Sequence, residues 1–194
     1  MLSAEVRNAS APVRPQAVEI HIADQLFIRE WSIIGPFPNE GCEGFQRKYP
    51  PEEELKKDAV YEGAGGRVKW QNVPAQKLAV PGIPNYCRLD GLFNPTDRVI
   101  AYLAAAIISP TAREVQIRLG SDDGVALWLN GREILRRHEH RGAEPDQERV
   151  KAALDAGPNI LLVKLEDYEG DWGLILSLDP GRELKVRPLF ADEP

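Results

Sequence analysis

Two adjacent carboxylates, Asp122 and Asp123, stand in a tight polar turn, Ser121-Asp122-Asp123-Gly124. Paired carboxylates in a turn, helped by backbone carbonyls, suit a hard cation such as Ca2+. The same residues also suit an Asx-type turn that closes a hairpin. A second group is His138-Glu139-His140 with Glu144 beyond it. On an extended segment both imidazoles fall on one side, and with Glu144 they read H-x-H-x3-E, a spacing of metal ligands. Aromatic rings offer a third chemistry, because a sugar ring presents C–H groups that stack on an aromatic face. Trp128 and Tyr168 are the candidates. Trp128 is out of phase with Val125, Leu127 and Leu129, so in a strand it points to the opposite face. It is a stacking platform if that face is open, and second-face packing if a loop covers it. Tyr168 lies in a polar loop between two apolar runs.

Several chemistries are absent. The H-x-H-x3-E spacing is that of the first cupin metal motif, but no histidine follows His140 to supply a later ligand. Six residues separate Gly131 from His138, which puts the upstream glycine one place out. The surrounding RRHEHRGAEPDQER reads as a solvated loop. There is no G-x-S-x-G, no HExxH and no P-loop. Among 30 acidic residues no pair stands out for glycoside hydrolysis. The formal charge of −6 offers no footprint for nucleic acid or an anionic membrane. No stretch approaches the roughly 18 apolar residues of a membrane span. The first residues, MLSAEVRNASAPVRPQ, lack the apolar core of a signal peptide. Cys42 and Cys87 are expected as free thiols, because two cysteines in a chain this long do not make a scaffold. A disulfide would close a 45-residue span and add about 4 kcal/mol on the chain-entropy model.

The elements that position these residues are short apolar runs among sixteen glycines and sixteen prolines, which favours an all-β design. Residues 1–20 are polar and Pro-broken, and are expected to form a flexible arm before one domain over residues 21–190. Phe27 to Ile34 reads as the first strand, with Trp31 and Ile33 on its core face. A long irregular region follows to Gly66, with a turn or two of helix expected over Glu52–Lys57 behind Pro50-Pro51. Arg67 to Val73 is a strand, and Pro74 to Pro95 is loop-like with an extended stretch near Tyr86–Leu89. Val99 to Ile108 is apolar on both faces, as a central strand is. Val115, Ile117 and Leu119 alternate with polar residues. Asn130-Gly131 between apolar segments is a hairpin signal, because the favoured turn needs positive φ at both positions. Strands follow over Arg149–Leu154, Asn159–Glu166 and Trp172–Leu178, with an edge strand at Lys185–Pro188. Trp172 is in phase with Leu174, Leu176 and Leu178 and belongs to the core. Eight to ten strands and almost no helix fit two antiparallel sheets packed face to face, a β-sandwich or jelly roll.

The order of motifs is more specific than any one of them: WSIIGPF at Trp31–Phe37, YPPE at Tyr49–Glu52, VKW at Val68–Trp70 and AYLAAAIISP at Ala101–Pro110. GSDDGVALWLNG at Gly120–Gly131, PDQ at Pro145–Gln147, GPNILLVKL at Gly157–Leu165 and DWGL at Asp171–Leu174 complete it. Over residues 27–180 this resembles the galactose-binding-like jelly-roll modules of bacterial multidomain secreted or surface proteins, many attached to polysaccharide-degrading enzymes. The hairpin is also similar to the sugar-binding domain of family 2 glycoside hydrolases and to the protective-antigen-type carbohydrate-binding domain. In the latter a paired Asp motif holds Ca2+, a role that falls by position on Asp122 and Asp123. The resemblance implies a secreted or periplasmic location.

The expectation is therefore a non-catalytic carbohydrate-binding module of a larger polysaccharide-active protein, with a glycan or polysaccharide as partner and no nucleic acid or membrane. Trp128 and Tyr168 would stack on the sugar. Asp122, Asp123, His138, Arg141 and Asp146 would contact hydroxyls, with Ca2+ at Asp122 and Asp123. Two alternatives stand beside it. One is a structural or protein-interaction sandwich that orients a neighbouring catalytic domain. The other is a jelly-roll metallo-enzyme using His138, His140 and Glu144.

Overall fold

The computed structural model describes residues 24–192, and the expected N-terminal arm lies outside them. The chain is an all-β sandwich of two antiparallel sheets. In chain order its strands are β1 (Leu26–Phe27), β2 (Trp31–Pro38), β3 (Val60–Gly63), β4 (Gly66–Lys69), β5 (Gln71–Val73), β6 (Ala79–Val80), β7 (Ile83–Arg88) and β8 (Val99–Ser109). Then come β9 (Arg113–Asp122), β10 (Val125–Leu129), β11 (Arg132–Arg137), β12 (Glu148–Leu154), β13 (Gly157–Asp167), β14 (Gly173–Asp179) and β15 (Lys185–Pro188). The first sheet runs β12-β9-β14-β7-β6, with β1 also on β14. The second runs β11-β10-β13-β8-β2-β5, with β15 also on β8. β3 and β4 form a separate hairpin.

The inward residues of both sheets make one core, including Trp31, Ile33, Leu103, Ile117, Leu119, Leu127, Val163, Trp172, Leu174 and Leu176. Trp172 is fully buried, as its phase requires. The second sheet is buried on its other face as well. Ile34, Phe37, Ile100, Tyr102, Ala126, Trp128 and Leu162 there meet Phe45, Tyr49, Val68 and Trp70 from the segment between β2 and β5. This is why Val99–Ile108 is apolar on both faces: β8 pairs with β13 on one side and β2 on the other, beneath two layers.

Four expectations need correction. Arg67 to Val73 is not one strand: it breaks at Trp70, with β4 pairing β3 and β5 pairing β2. Phe27 to Ile34 is not one strand. β1 pairs with β14 in the first sheet and β2 with β8 in the second, so the chain crosses the sandwich between them. Glu52–Lys57 forms no helix. Only a 3-10 turn over Pro50–Glu52 is present, because Glu52 turns inward to meet a buried cation. Pro74 to Pro95 is not only loop: it holds β6, β7 and a single helical turn, Ala75–Leu78. Both cysteines are free thiols.

The buried cation is Lys164 of β13, with no solvent exposure. Its Nζ donates to the Glu52 carboxylate at 2.9 Å and to the Arg47 carbonyl at 2.6 Å. It lies 5.5 to 5.7 Å from the ring centroids of Phe45, Tyr49 and Tyr102. The Tyr102 hydroxyl donates to the same Glu52 oxygen. Burial pulls the Lys164 pKa down, and the Glu52 contact opposes that shift. Removing one partner of a buried pair strands the other charge, at a cost of about 3–5 kcal/mol. Glu52→Ala is expected to destabilise the fold by about 3 kcal/mol, read from the urea midpoint. The apolar double replacement Glu52→Leu/Lys164→Met should lose less than that single change. A single change no worse than the double would refute the role given to this pair.

Candidate functional site

The Gly120–Arg137 hairpin divides into parts with different tasks. Asn130 and Gly131 both take positive φ, 50° and 79°, so the two-residue turn is the type the sequence signals. Trp128 does point away from the core, and that outer face is covered. Trp128 is only 9% exposed, and Arg136 stacks on it at 5.5 Å. Its remaining edge lines a mainly apolar recess of about 330 Å³ with Pro51, Leu55, Ile160 and Leu162.

Asp122 and Asp123 are consecutive, and they serve different surroundings. The peptide bond between them is cis. Asp123 is 5% exposed. One of its carboxylate oxygens accepts the Arg141 backbone N–H at 2.9 Å and the other the Tyr168 backbone N–H at 2.8 Å. Asp123 thus ties two loops, 138–147 and 168–172, to the end of β9. Among the described residues no three His, Cys, Asp or Glu side chains converge as metal ligands do. The donor set therefore does not fit a calcium ion shared by Asp122 and Asp123, since both Asp123 oxygens are already engaged by backbone donors.

Asp122 has the parity of Gly120, Arg118 and Gln116, opposite to the core residues Leu119 and Ile117. It faces outward into a pocket of about 300 Å³ lined by Val80, Ile83, Tyr86, Arg88, Gly142, Ala143 and Asp171. Three local features build this pocket. Tyr86 and Arg88 alternate with the buried Cys87 on β7 and so share the outer face. The Tyr86 ring lies over Gly173, where an added Cβ would come 2.3 Å from the ring, so no larger residue fits beneath it. The loop after β11 folds over β9 at Gly120, where a Cβ would meet the Glu144 carbonyl at 1.8 Å. Gln147 holds that loop down, accepting from Ser121 N–H at 3.0 Å and donating to the Gly142 carbonyl at 2.8 Å. Arg88 donates to Asp90 at 2.9 Å and to Asp171 at 3.3 Å. Burial, then the neighbouring carboxylates of Asp123, Asp171 and Asp90, pushes the Asp122 pKa up to about 7. Burial first, and Asp122 next, also pushes the Tyr86 phenol up, so it stays a hydroxyl donor.

The other residues marked by sequence lie elsewhere. Arg141 is mostly buried and clamps its own loop, donating to Glu148 at 3.0 Å and Ser121 Oγ at 3.1 Å. Asp146 pairs with Arg118 at 3.1 Å and Arg149 at 3.2 Å. His138 stacks on Phe45 at 4.6 Å and contacts the buried Glu166 at 3.1 Å. His140 stacks on Tyr168 at 4.2 Å, with Cys42 Sγ 3.7 Å from its Nε2. Arg98 lies over the same Tyr168 ring at 5.6 Å. The two imidazoles are thus drawn to different partners, their centroids 6.4 Å apart. Glu144, whose backbone crosses Gly120, is exposed. Of the residues selected from sequence, only Asp122 lines the pocket. Tyr86, Arg88 and Asp171 were missed. The alternation around Cys87 and the Asp171-Trp172-Gly173 run carried the signal, the first obscured by Pro81 and Pro84.

No protein-family model matches this chain, and no curated protein matches it. Solved structures with a similar arrangement include a β-glucuronidase from an uncultured Clostridium sp., 15% identical, covering 92% of this chain and 31% of that one, with a TM-score of 0.47. The PA14 domain of the antifreeze protein MpAFP is 12% identical, covering 88% of this chain and 79% of that one, with a TM-score of 0.39. An anti-sigma factor domain-containing protein from Clostridium clariflavum is 15% identical, with 50% of this chain and 35% of that one covered and a TM-score of 0.39. The chain thus spans about a third of the length of the glucuronidase and of the anti-sigma factor protein. At these identities and scores nothing about ligand or activity carries over.

One buried carboxylate at this end of the sandwich has a measurable consequence. Asp167 is fully buried, and among the described residues no side chain bonds to its carboxylate, the Arg98 backbone N–H being its nearest donor. Burial, then Asp123 and Asp97, pushes its pKa from 3.8 up to about 8. The folded state therefore holds a proton that the unfolded state has released between about pH 4 and pH 8. Stability contributed by that proton is full below pH 4 and is lost as pH rises through 8. Asp167→Asn is expected to flatten this slope and to raise the melting temperature at pH 8.5 by several degrees, equivalent to about 1–3 kcal/mol. Melting curves at pH 5.5 and 8.5 check it, and an unchanged slope would contradict the assignment.

Proposed function

We propose that this chain is a non-catalytic carbohydrate-binding module whose glycan site is the outer-face pocket around Asp122 and Tyr86. One observation carries the reading. A ring seated on a glycine stands beside carboxylate and guanidinium groups in an open recess the size of a sugar unit. Glycan sites need this combination of an apolar surface for the C–H face and a few fixed polar groups for the hydroxyls. Val80, Ile83 and the Tyr86 ring supply the surface. Asp122 and Asp171 accept from hydroxyls, and Arg88 donates to ring or hydroxyl oxygens. The pocket is lined from β6, β7 and the end of β9, and Gly173 of β14 seats the Tyr86 ring, so its geometry is held by the ladder and not by loops alone. Trp128 and Tyr168 support the fold in this reading, because their faces are engaged by Arg136 and by His140. The setting that suits such a module is attachment to a polysaccharide-active protein, with the glycan as its partner.

Titration calorimetry against a panel of soluble polysaccharides tests this. Tyr86→Ala is expected to weaken binding about tenfold, the equivalent of about 1.4 kcal/mol. Gly173→Val, which removes the seat of the ring, should have a similar effect. Trp128→Ala should lower the melting temperature while leaving the affinity within about threefold. Affinity that follows Trp128 and ignores Tyr86 would move the site to the recess beside Trp128 and end the present proposal.

A further inference from the structure

We infer that the sugar unit this pocket takes carries a protonated amine, which makes its ligands amine-bearing glycans such as those built of glucosamine, and not uronates. The inference rests on the outer-face pocket being the glycan site, and it follows from how the charges there are already committed. Asp122 and Asp171 line the recess, and Asp90 stands behind Arg88. Among the described residues Arg88 is the one cationic side chain lining the recess. Its Nε is bonded to Asp90 and its Nη2 to Asp171. The neighbouring guanidinium of Arg141 is directed to Glu139, Glu148 and Ser121 instead. Those of Arg118 and Arg149 go to Asp146, and Arg118 also reaches Asp179. Among the described residues Asp122 has no ion-pair partner, and only the Ala143 backbone N–H bonds to it. With Asp122 ionised, three carboxylates face one guanidinium, a local charge of −2.

A uronate entering this recess would bring a fourth carboxylate against that field and would have to break Arg88 from its partners. A neutral sugar can donate its hydroxyls to Asp122 but leaves the negative charge uncompensated. An ammonium group resolves both problems. It supplies three donors and the missing charge, and charge-assisted hydrogen bonds of this kind are about twice as strong as neutral ones. Val80, Ile83 and the Tyr86 ring add apolar surface to the same recess, which suits the C–H face of the sugar that carries the amine.

The test is calorimetry of the intact chain at low salt with four probes: glucosamine oligomers, their N-acetylated counterparts, oligogalacturonate and calcium chloride. Butylamine serves as a sugar-free amine. Glucosamine oligomers are expected to bind at least tenfold tighter than the acetylated ones, with oligogalacturonate weakest. Asp122→Asn should cut that preference to less than threefold. Asp171→Asn, at a side chain 73% exposed and safe for folding, should cut it by a smaller factor. Melting curves confirm that both variants fold. Equal or tighter binding of acetylated oligomers or of oligogalacturonate would overturn the amine inference while leaving the glycan site standing. Butylamine binding as tightly as the oligomers, with no acetylated or neutral saccharide bound, would overturn the glycan site itself. Stoichiometric calcium binding that displaces the oligomer and disappears in Asp122→Asn would assign the charge to a metal and overturn the inference. Absence of binding by every probe would overturn the amine inference, and absence of binding across the polysaccharide panel as well would overturn the glycan site.

Discussion

An ammonium group fully removed from water lies at the middle of the second sheet, and much of the molecule is arranged to keep it satisfied. Lys164 gives up hydration that only close partners can replace. The replacements are the Glu52 carboxylate, the Arg47 carbonyl and three aromatic rings. Glu52, Arg47, Phe45 and Tyr49 all belong to the segment between β2 and β3. This explains why an irregular stretch with little secondary structure is held firmly on the sheet. Asn39 anchors its beginning, donating to Glu166 at 2.8 Å and accepting from the Phe45 N–H at 3.0 Å. From Phe45 the contacts continue to His138, and from there into the loop that covers Gly120 and frames the pocket.

The end of the sandwich where the loops meet concentrates acidic groups whose tasks differ by face. A strand sends successive side chains to opposite sides. At the end of β13 that separates Glu166, which meets Asn39 and His138, from Asp167, which is buried with no side-chain partner among the described residues. At the end of β9, Asp122 looks into the recess, and Asp123, the next residue and outside the strand, binds loop amides. The environments that raise the pKa of Asp122 and of Asp167 have the same origin, namely burial together with neighbouring carboxylates and few cations. One faces a pocket that a ligand can enter, and the other faces packed protein.

Particular residues show what could be read from sequence and what could not. Trp172 in the core, the Asn130-Gly131 turn and the two-faced burial of Val99–Ile108 all followed from period and turn chemistry. So did the outward direction of Trp128. Its being covered did not, because the cover combines Arg136 of the returning strand with Pro51 and Leu55 from a segment remote in the chain. The stretch from Phe27 to Ile34 reads as one strand because its alternation continues across the point where the chain changes sheet. Glu52–Lys57 reads as helix because nothing local reveals that Glu52 must reach a lysine 112 positions away. Tyr86 was hidden because Pro81 and Pro84 make the start of its strand look like loop.

By itself, then, the sequence determined the all-β character, the hairpin at its centre, most of the core and one residue of the candidate site, Asp122. These depend on local rules: the period of two along a strand and the φ demanded by a turn. Only the tertiary structure decided that Asp123, Arg141 and Asp146 hold loops in place, and that His138 and His140 go to separate partners. It also brought Tyr86, Arg88 and Asp171 beside Asp122. The reason is that β7, β9 and β14 are neighbours in the sheet and not in the chain. Which side chains share a face depends on strand order, which no motif within a single strand specifies.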